Sequence, residues 1–228
     1  MAGILNFVVT GQVRCGASVI QSSVNSHPKA VCHTDLLHPE AKQRKEAHEG
    51  YFGEQAIGDI PDWWSPLLIS PEQYLTTRVF DKPKFGEQAI GLKLLYPEMR
   101  RHELWDYFEN WCRVGDFCLI HVTRNPLACY VSMKQAEKSG VWHCDVNQGT
   151  TVVPPPVYVE VEELIWFCRW HAASQNKVRA IFKDRLEIPY KELFLNYKHV
   201  MTEVFRFLEL DAYPAVTPGV RRLKNRGI

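Results

Sequence analysis

Near the start of the chain a strand runs through a glycine-bounded turn into a helix, and few arrangements restrict a fold more. Ile4-Leu5-Asn6-Phe7-Val8-Val9 reads as a short buried strand, and the chain from residue 17 to 26 reads as a helix. Between them lies Gly11-Gln12-Val13-Arg14-Cys15-Gly16-Ala17-Ser18, which has the spacing of a phosphate-binding P-loop. In such a turn, successive backbone N–H groups and the positive end of the helix dipole converge on an anion. Gly11 and Gly16 permit the tight path, and Ser18 adds a hydroxyl. Alanine at 17 stands where the nucleotide-hydrolysing version needs lysine, and Arg14 supplies the cation instead. Taken alone, the glycine spacing also fits an ordinary strand-to-helix turn.

The rest of the chain alternates in the same way. Extended or buried stretches are expected at 30–32, 89–95, 116–122 and 187–190, with helices over 97–111, 126–139, 161–182 and 193–208. Pro126 sits in the first turn of its helix, where a missing N–H costs nothing. Alternation of this kind predicts an α/β fold, a three-layer α/β/α arrangement around a central parallel sheet, with ligands at the carboxyl ends of the strands. With 228 residues and 46% hydrophobic content, one domain spanning 1–228 is expected, interrupted by a polar and aromatic insertion over about 36–88. Phe52-Gly-Glu-Gln-Ala-Ile-Gly58 recurs unchanged as Phe85 to Gly91, too short and isolated a repeat to make a solenoid.

A second chemical landmark is Phe117-Cys-Leu-Ile-His-Val-Thr-Arg124-Asn-Pro126. A buried strand ends in Arg124, and Ser132 follows on the second turn of the next helix. The guanidinium fork and the hydroxyl are placed to converge on one anion. A nucleotide hydrolase would end such a strand in an aspartate that helps hold magnesium, and here the position reads Thr123-Arg124. The plain alternatives are a surface ion pair for Arg124 and a solvated helix hydroxyl for Ser132.

These features together resemble the sulfotransferases that use 3'-phosphoadenosine-5'-phosphosulfate (PAPS). The resemblance rests on the loop Gly11 to Ser18, on His27-Pro28 through His33-Thr34-Asp35, on the Arg124 to Ser132 spacing, and on Ile188-Pro189-Tyr190-Lys191-Glu192-Leu193 before a helix ending Phe207-Leu208-Glu209-Leu210. It implies a donor site in which Arg14, Cys15, Gly16, Ala17 and Ser18 hold the 5'-phosphosulfate, and Arg124 and Ser132 hold the 3'-phosphate. Cys15 and Ala17 depart from the family's usual serine and threonine, so two hydroxyl donors are missing and backbone amides must supply more of the binding. The resemblance also implies a carboxylate base at Asp35, near the end of the second strand, with His33 or His38 as substitutes. Such a base is needed because an alcohol is a poor nucleophile at neutral pH until its proton is removed. Lys93, inside the apolar stretch Ala89 to Leu95, is costly there unless it reaches an anion or lies on an edge. The resemblance puts it against the substrate or the transferring sulfuryl group. Lys224 and Arg226, in a basic C-terminal cluster, are secondary candidates for the donor's 3'-phosphate end, and as a plain reading they form a solvated tail.

Composition narrows the rest. Lys plus Arg number 27 against 26 acids, a net charge of +1, so no global field recruits nucleic acid or a long polyanion. A small organic acceptor is expected, sulfated at a hydroxyl or an amine, with a carbohydrate or polysaccharide acceptor as the alternative. The acceptor walls are sought in the insertion's aromatics and near Trp142, while Trp166 and Trp170 read mainly as core. Seven cysteines with no C-x-x-C pair, no leader pattern and no apolar run long enough to span a bilayer point to a cytoplasmic protein without a membrane partner. Cys15, a thiol at a helix N-terminus, is a minor candidate nucleophile. The nine histidines show no zinc spacing, so no metal is expected. A divergent P-loop kinase or NTPase and a binding-only relative are the competing classes. Oligomeric state is not legible in these residues.

Overall fold

The structure, a computed structural model, describes residues 4–34, 36–37, 70–80, 86–101, 103–114, 117–142 and 154–215. Asp35, His38, Lys224, Arg226, the first copy of the repeat and most of the expected insertion lie outside these residues. In chain order the elements are β1 (Leu5–Gly11), α1 (Ala17–Val24), β2 (Ala30–His33), α2 (Pro71–Tyr74) running into a π-helical turn (Leu75–Val79), β3 (Ala89–Lys93), α3 (Tyr96–Arg101), α4 (Trp105–Val114), β4 (Phe117–Thr123), α5 (Pro126–Ser139), α6 (Val161–Ile181), β5 (Arg185–Pro189), α7 (Tyr190–Leu195) and α8 (Tyr197–Phe207).

The five strands form one parallel sheet in the order β2-β3-β1-β4-β5, so the loop-bearing strand β1 lies at its centre. Successive side chains on β1 point to opposite faces, and both faces are buried. Phe7 and Val9 join a core with Ile20 of α1, Cys129 of α5, Leu193 of α7 and Val204 of α8. Val8 joins the other, with Leu92, Met99, Phe108 and Leu119. Each of these fully buried β1 side chains is worth about 1.5–3 kcal/mol of apolar transfer, which is why an unalternating apolar run makes a central strand. Helix α6 serves both layers: Phe167 packs in the first core, Val178 in the second, and Trp170 against both. The expected three-layer α/β/α arrangement is therefore present.

Two expected helices are each divided. The apolar spacing over 97–111 is split between α3 and α4, where Glu103 adopts a left-handed conformation with φ 52° and Leu104 N–H reaches back to Met99 O at 3.0 Å. The stretch 193–208 is split at Asn196, whose φ of −125° leaves the helical region and whose side chain donates to Glu192 at 2.6 Å. The second copy of the repeat has a physical reason at its end: Gly91 sits opposite Phe7 in the β1–β3 register, and a Cβ there would lie 2.3 Å from the phenyl ring.

Candidate functional site

All strands being parallel, β1 and β4 present their carboxyl ends side by side, with Gly11 paired to Val122. The turn after β1 closes with Cys15 N–H on Gln12 O at 3.0 Å and passes into α1 through Gly16, which has φ 100°. Only glycine adopts that conformation freely. A Cβ at Gly16 would also lie 3.0 Å from the ring of Tyr190, so the loop is seated directly on α7. Arg14 has φ 68°, a strained conformation for a residue with a side chain.

That strain turns the Arg14 carbonyl and side chain toward the end of β4. The Arg124 guanidinium donates to Arg14 O at 2.6 Å, and its Cζ lies 3.9 Å from the centre of the Tyr190 ring. The Arg14 Nε donates to Ser132 Oγ at 3.1 Å, and its Nη1 donates to the Trp142 carbonyl. Arg14, Arg124 and Ser132 are thus brought into one constellation. Arg124 is not in a surface ion pair: among the described residues no carboxylate partners it. Asn125 caps α5 by accepting from Ala128 N–H at 3.2 Å, which fixes the helix carrying Ser132.

The other candidate residues divide. Ala17 is buried and Ser18 half-buried at the start of α1. Cys15 turns its side chain into the core, where burial pushes the thiol up to about 12, and this overturns the nucleophile alternative, since a reactive cysteine needs its thiolate. Lys93 is only 6% exposed on β3, between β2 and β1, so it is no edge lysine. Its charge is felt by the buried thiols of Cys15 and Cys32. His33 is buried at the end of β2, paired in register with Leu92, one residue short of Lys93. Asp35, Lys224 and Arg226 fall outside the described residues.

Beneath the loop, Tyr96 Oη lies 2.5 Å from His121 Nε2, while His121 Nδ1 lies 3.5 Å from a carboxylate oxygen of Glu187, its register partner on β5. Burial holds His121 well below its ordinary value, at about 4, so the ring is neutral and shares a single hydrogen bond with the Tyr96 hydroxyl through Nε2. Hydrogen bonds from Arg179 hold the Glu187 carboxyl down at about 2. This network anchors α3 and β5 to β4.

Sequence reasoning missed a cleft of about 440 Å³ that opens beside the loop, where Gln12 and Val13 meet Arg100 and Arg101 of α3, Met133 of α5, and Trp166 and Trp170 of α6. The two tryptophans are stacked, with ring centres 5.9 Å apart and planes within 10°. Trp166 is 57% exposed, which corrects its reading as core: the i, i+4 aromatic spacing is the same whether that helix face meets the sheet or a cleft. Tyr190, which seats Arg124, has its sequence signal in the motif Ile188-Pro189-Tyr190, but that motif alone gives it no role. Among the described residues no group of three or more His, Cys, Asp or Glu could hold a metal ion, and no helix is long and apolar enough to cross a membrane.

No family model matches the chain, and no curated protein matches it. Among solved structures it is similar to the sulfotransferase domain of the Synechococcus PCC 7002 olefin synthase, at 14% identity and a TM-score of 0.47, over 93% of this chain and 76% of that one. It is similar to a sulfotransferase from Alicyclobacillus acidocaldarius at 16% identity and a TM-score of 0.48, over 97% and 87%. A third is mouse sulfotransferase SULT7A1 complexed with PAP, at 13% identity and a TM-score of 0.43, over 93% and 60%. What the chain shares with them is a likeness of fold.

Proposed function

We propose that this protein is a PAPS-dependent sulfotransferase that moves a sulfuryl group to a hydroxyl or amine of a small organic acceptor. The observation that carries the reading is the joining of Arg14, Arg124 and Ser132 at the carboxyl ends of β1 and β4. A donor with phosphates at both ends of its ribose requires two neighbouring anion sites, and this constellation links the phosphate-type loop to a second cationic position. The residues fit such a donor: a loop of backbone amides at a helix start, two guanidinium groups and a hydroxyl. The end of β4 reads Thr123-Arg124, without the carboxylate that a magnesium-dependent phosphotransferase would place there.

When bound, the donor supplies a sulfuryl group activated by its phosphate leaving group. The amides of residues 14–18 and the Arg14 guanidinium hold the 5' end and meet the negative charge that grows on the departing phosphate. Arg124, held over the Tyr190 ring, and Ser132 hold the 3'-phosphate, with Lys224 and Arg226 as further contacts. Lys93 steadies the oxygens of the group in flight. Asp35 takes the acceptor's proton as its oxygen or nitrogen attacks sulfur, with His33 as the substitute base.

The test separates transfer from binding. Asp35→Asn is expected to abolish release of adenosine 3',5'-bisphosphate from PAPS across a panel of hydroxylated and amino acceptors, while calorimetric binding of the bisphosphate stays within about twofold. Unchanged turnover in Asp35→Asn removes Asp35 from the chemistry. Bisphosphate binding with no turnover for any acceptor favours a binding-only protein.

A further inference from the structure

The cleft beside the loop offers hydrogen-bond donors and positive charge at its polar positions and aromatic carbon at its walls. Gln12 is 1% exposed, its Oε1 already accepts from Val13 N–H at 2.8 Å, and its buried Nε2 has no partner. An unpartnered buried amide is costly unless a ligand satisfies it. Arg100 and Arg101, both exposed on the last turn of α3, line the same cleft, and among the described residues neither guanidinium pairs with a carboxylate. In a chain of net charge +1, two adjacent unpaired arginines at a pocket mouth are a local choice of sign. The stacked faces of Trp166 and Trp170 suit a flat ring, and about 440 Å³ accommodates one or two rings.

We propose that this cleft is the acceptor subsite and that the acceptor is a small planar organic anion, an aromatic carboxylate or its equivalent carrying the hydroxyl or amine to be sulfated. This rests on the sulfotransfer reading above. The ring lies against Trp166 and Trp170, the carboxylate meets Arg100 and Arg101, and Gln12 Nε2 donates to an acceptor atom near the loop. Gln12 and Val13, both in the cleft wall, lead directly into the loop segment 14–18 assigned to the donor, so a molecule in the cleft abuts the transferring group.

The test uses the full chain and three probes of one size: 4-hydroxybenzoate, neutral 4-hydroxybenzyl alcohol and cationic 4-hydroxybenzylamine. Each is titrated by tryptophan fluorescence and calorimetry, with and without saturating adenosine 3',5'-bisphosphate. The carboxylate is expected to bind at least tenfold more tightly than the alcohol, and the amine most weakly. Arg100→Ala/Arg101→Ala should erase that preference while leaving bisphosphate affinity unchanged, and Trp166→Ala should weaken all three probes. Carboxylate and bisphosphate should bind together. Equal affinity for carboxylate and alcohol, an unaltered preference in the double variant, or displacement of the carboxylate by the bisphosphate each overturns the inference. Failure of the bisphosphate to bind in parallel titrations overturns the sulfotransfer reading instead, so the two failures are distinguishable.

Discussion

Arg124 is placed by contacts that leave much of its fork available: one Nη1 bond to the Arg14 carbonyl and a face-on contact with Tyr190. Arg124→Ala should therefore cost about 2–3 kcal/mol of bisphosphate binding, roughly a hundredfold in affinity, because a charge-assisted, forked contact is lost. Arg124→Lys should recover only part, since a point charge does not reproduce the fork or its stacking on the ring. Calorimetry on both variants checks this, and wild-type affinity in Arg124→Ala would remove the residue from the site. Arg14, Arg124 and Ser132 were legible in the sequence because each is tied to a local signal: a glycine turn, a strand end, a fixed step into the next helix. Tyr190, Gln12 and the arginines of α3 had no role there. Their part depends on which elements neighbour the loop, and that follows from sheet order rather than from any local pattern.

Helix α5 connects local sequence to the site. Asn125 caps it directly after Arg124, and Pro126 opens it. Asn125→Ala should lower stability by about 1 kcal/mol through loss of the cap, and should weaken bisphosphate binding as well, since Arg124 and Ser132 flank the disturbed turn. Denaturant melts and calorimetry on the same sample test this; a stability loss without any change in binding would uncouple the cap from the site. On β3, Gly91→Ala should destabilise by about 2 kcal/mol or more, because the phenyl ring of Phe7 occupies the space of a Cβ and is itself fully buried. The element types were readable from apolar runs and periodicity, whereas the breaks at Glu103 and Asn196 were not. Apolar spacing continues across both, and the breaks show only in the backbone, at a φ of 52° for Glu103 and −125° for Asn196.

At the scale of the whole molecule, stability is expected to fall on acidification. His121 is held at about 4 against an ordinary 6.5, so its neutral form contributes fully above pH 6.5, and the contribution is lost as pH falls toward 4. Glu187, held at about 2 against an ordinary 4.5, gives stability present above pH 4.5 and lost as pH falls toward 2. Both act in the same direction, the histidine first. Urea midpoints at pH 7.5, 5.5 and 4.5 should decline, and His121→Gln should flatten the decline between pH 6.5 and 4; an unchanged slope would contradict the assignment. The three-layer architecture was legible because strands and helices alternate along the chain, and a parallel sheet buried on both faces follows from that. The cleft was not legible, because it is assembled from α3, α5, α6 and the loop, which lie as far as 158 positions apart between Gln12 and Trp170. The central claim is that the joined loop and strand end recognise a bisphosphate nucleotide without metal. Calorimetric titration with adenosine 3',5'-bisphosphate, and separately with ATP and magnesium, tests it most directly. Tight binding of the bisphosphate alone, lost in Arg124→Ala, is the predicted result; preference for ATP with magnesium would contradict the account and make this a divergent P-loop phosphotransferase.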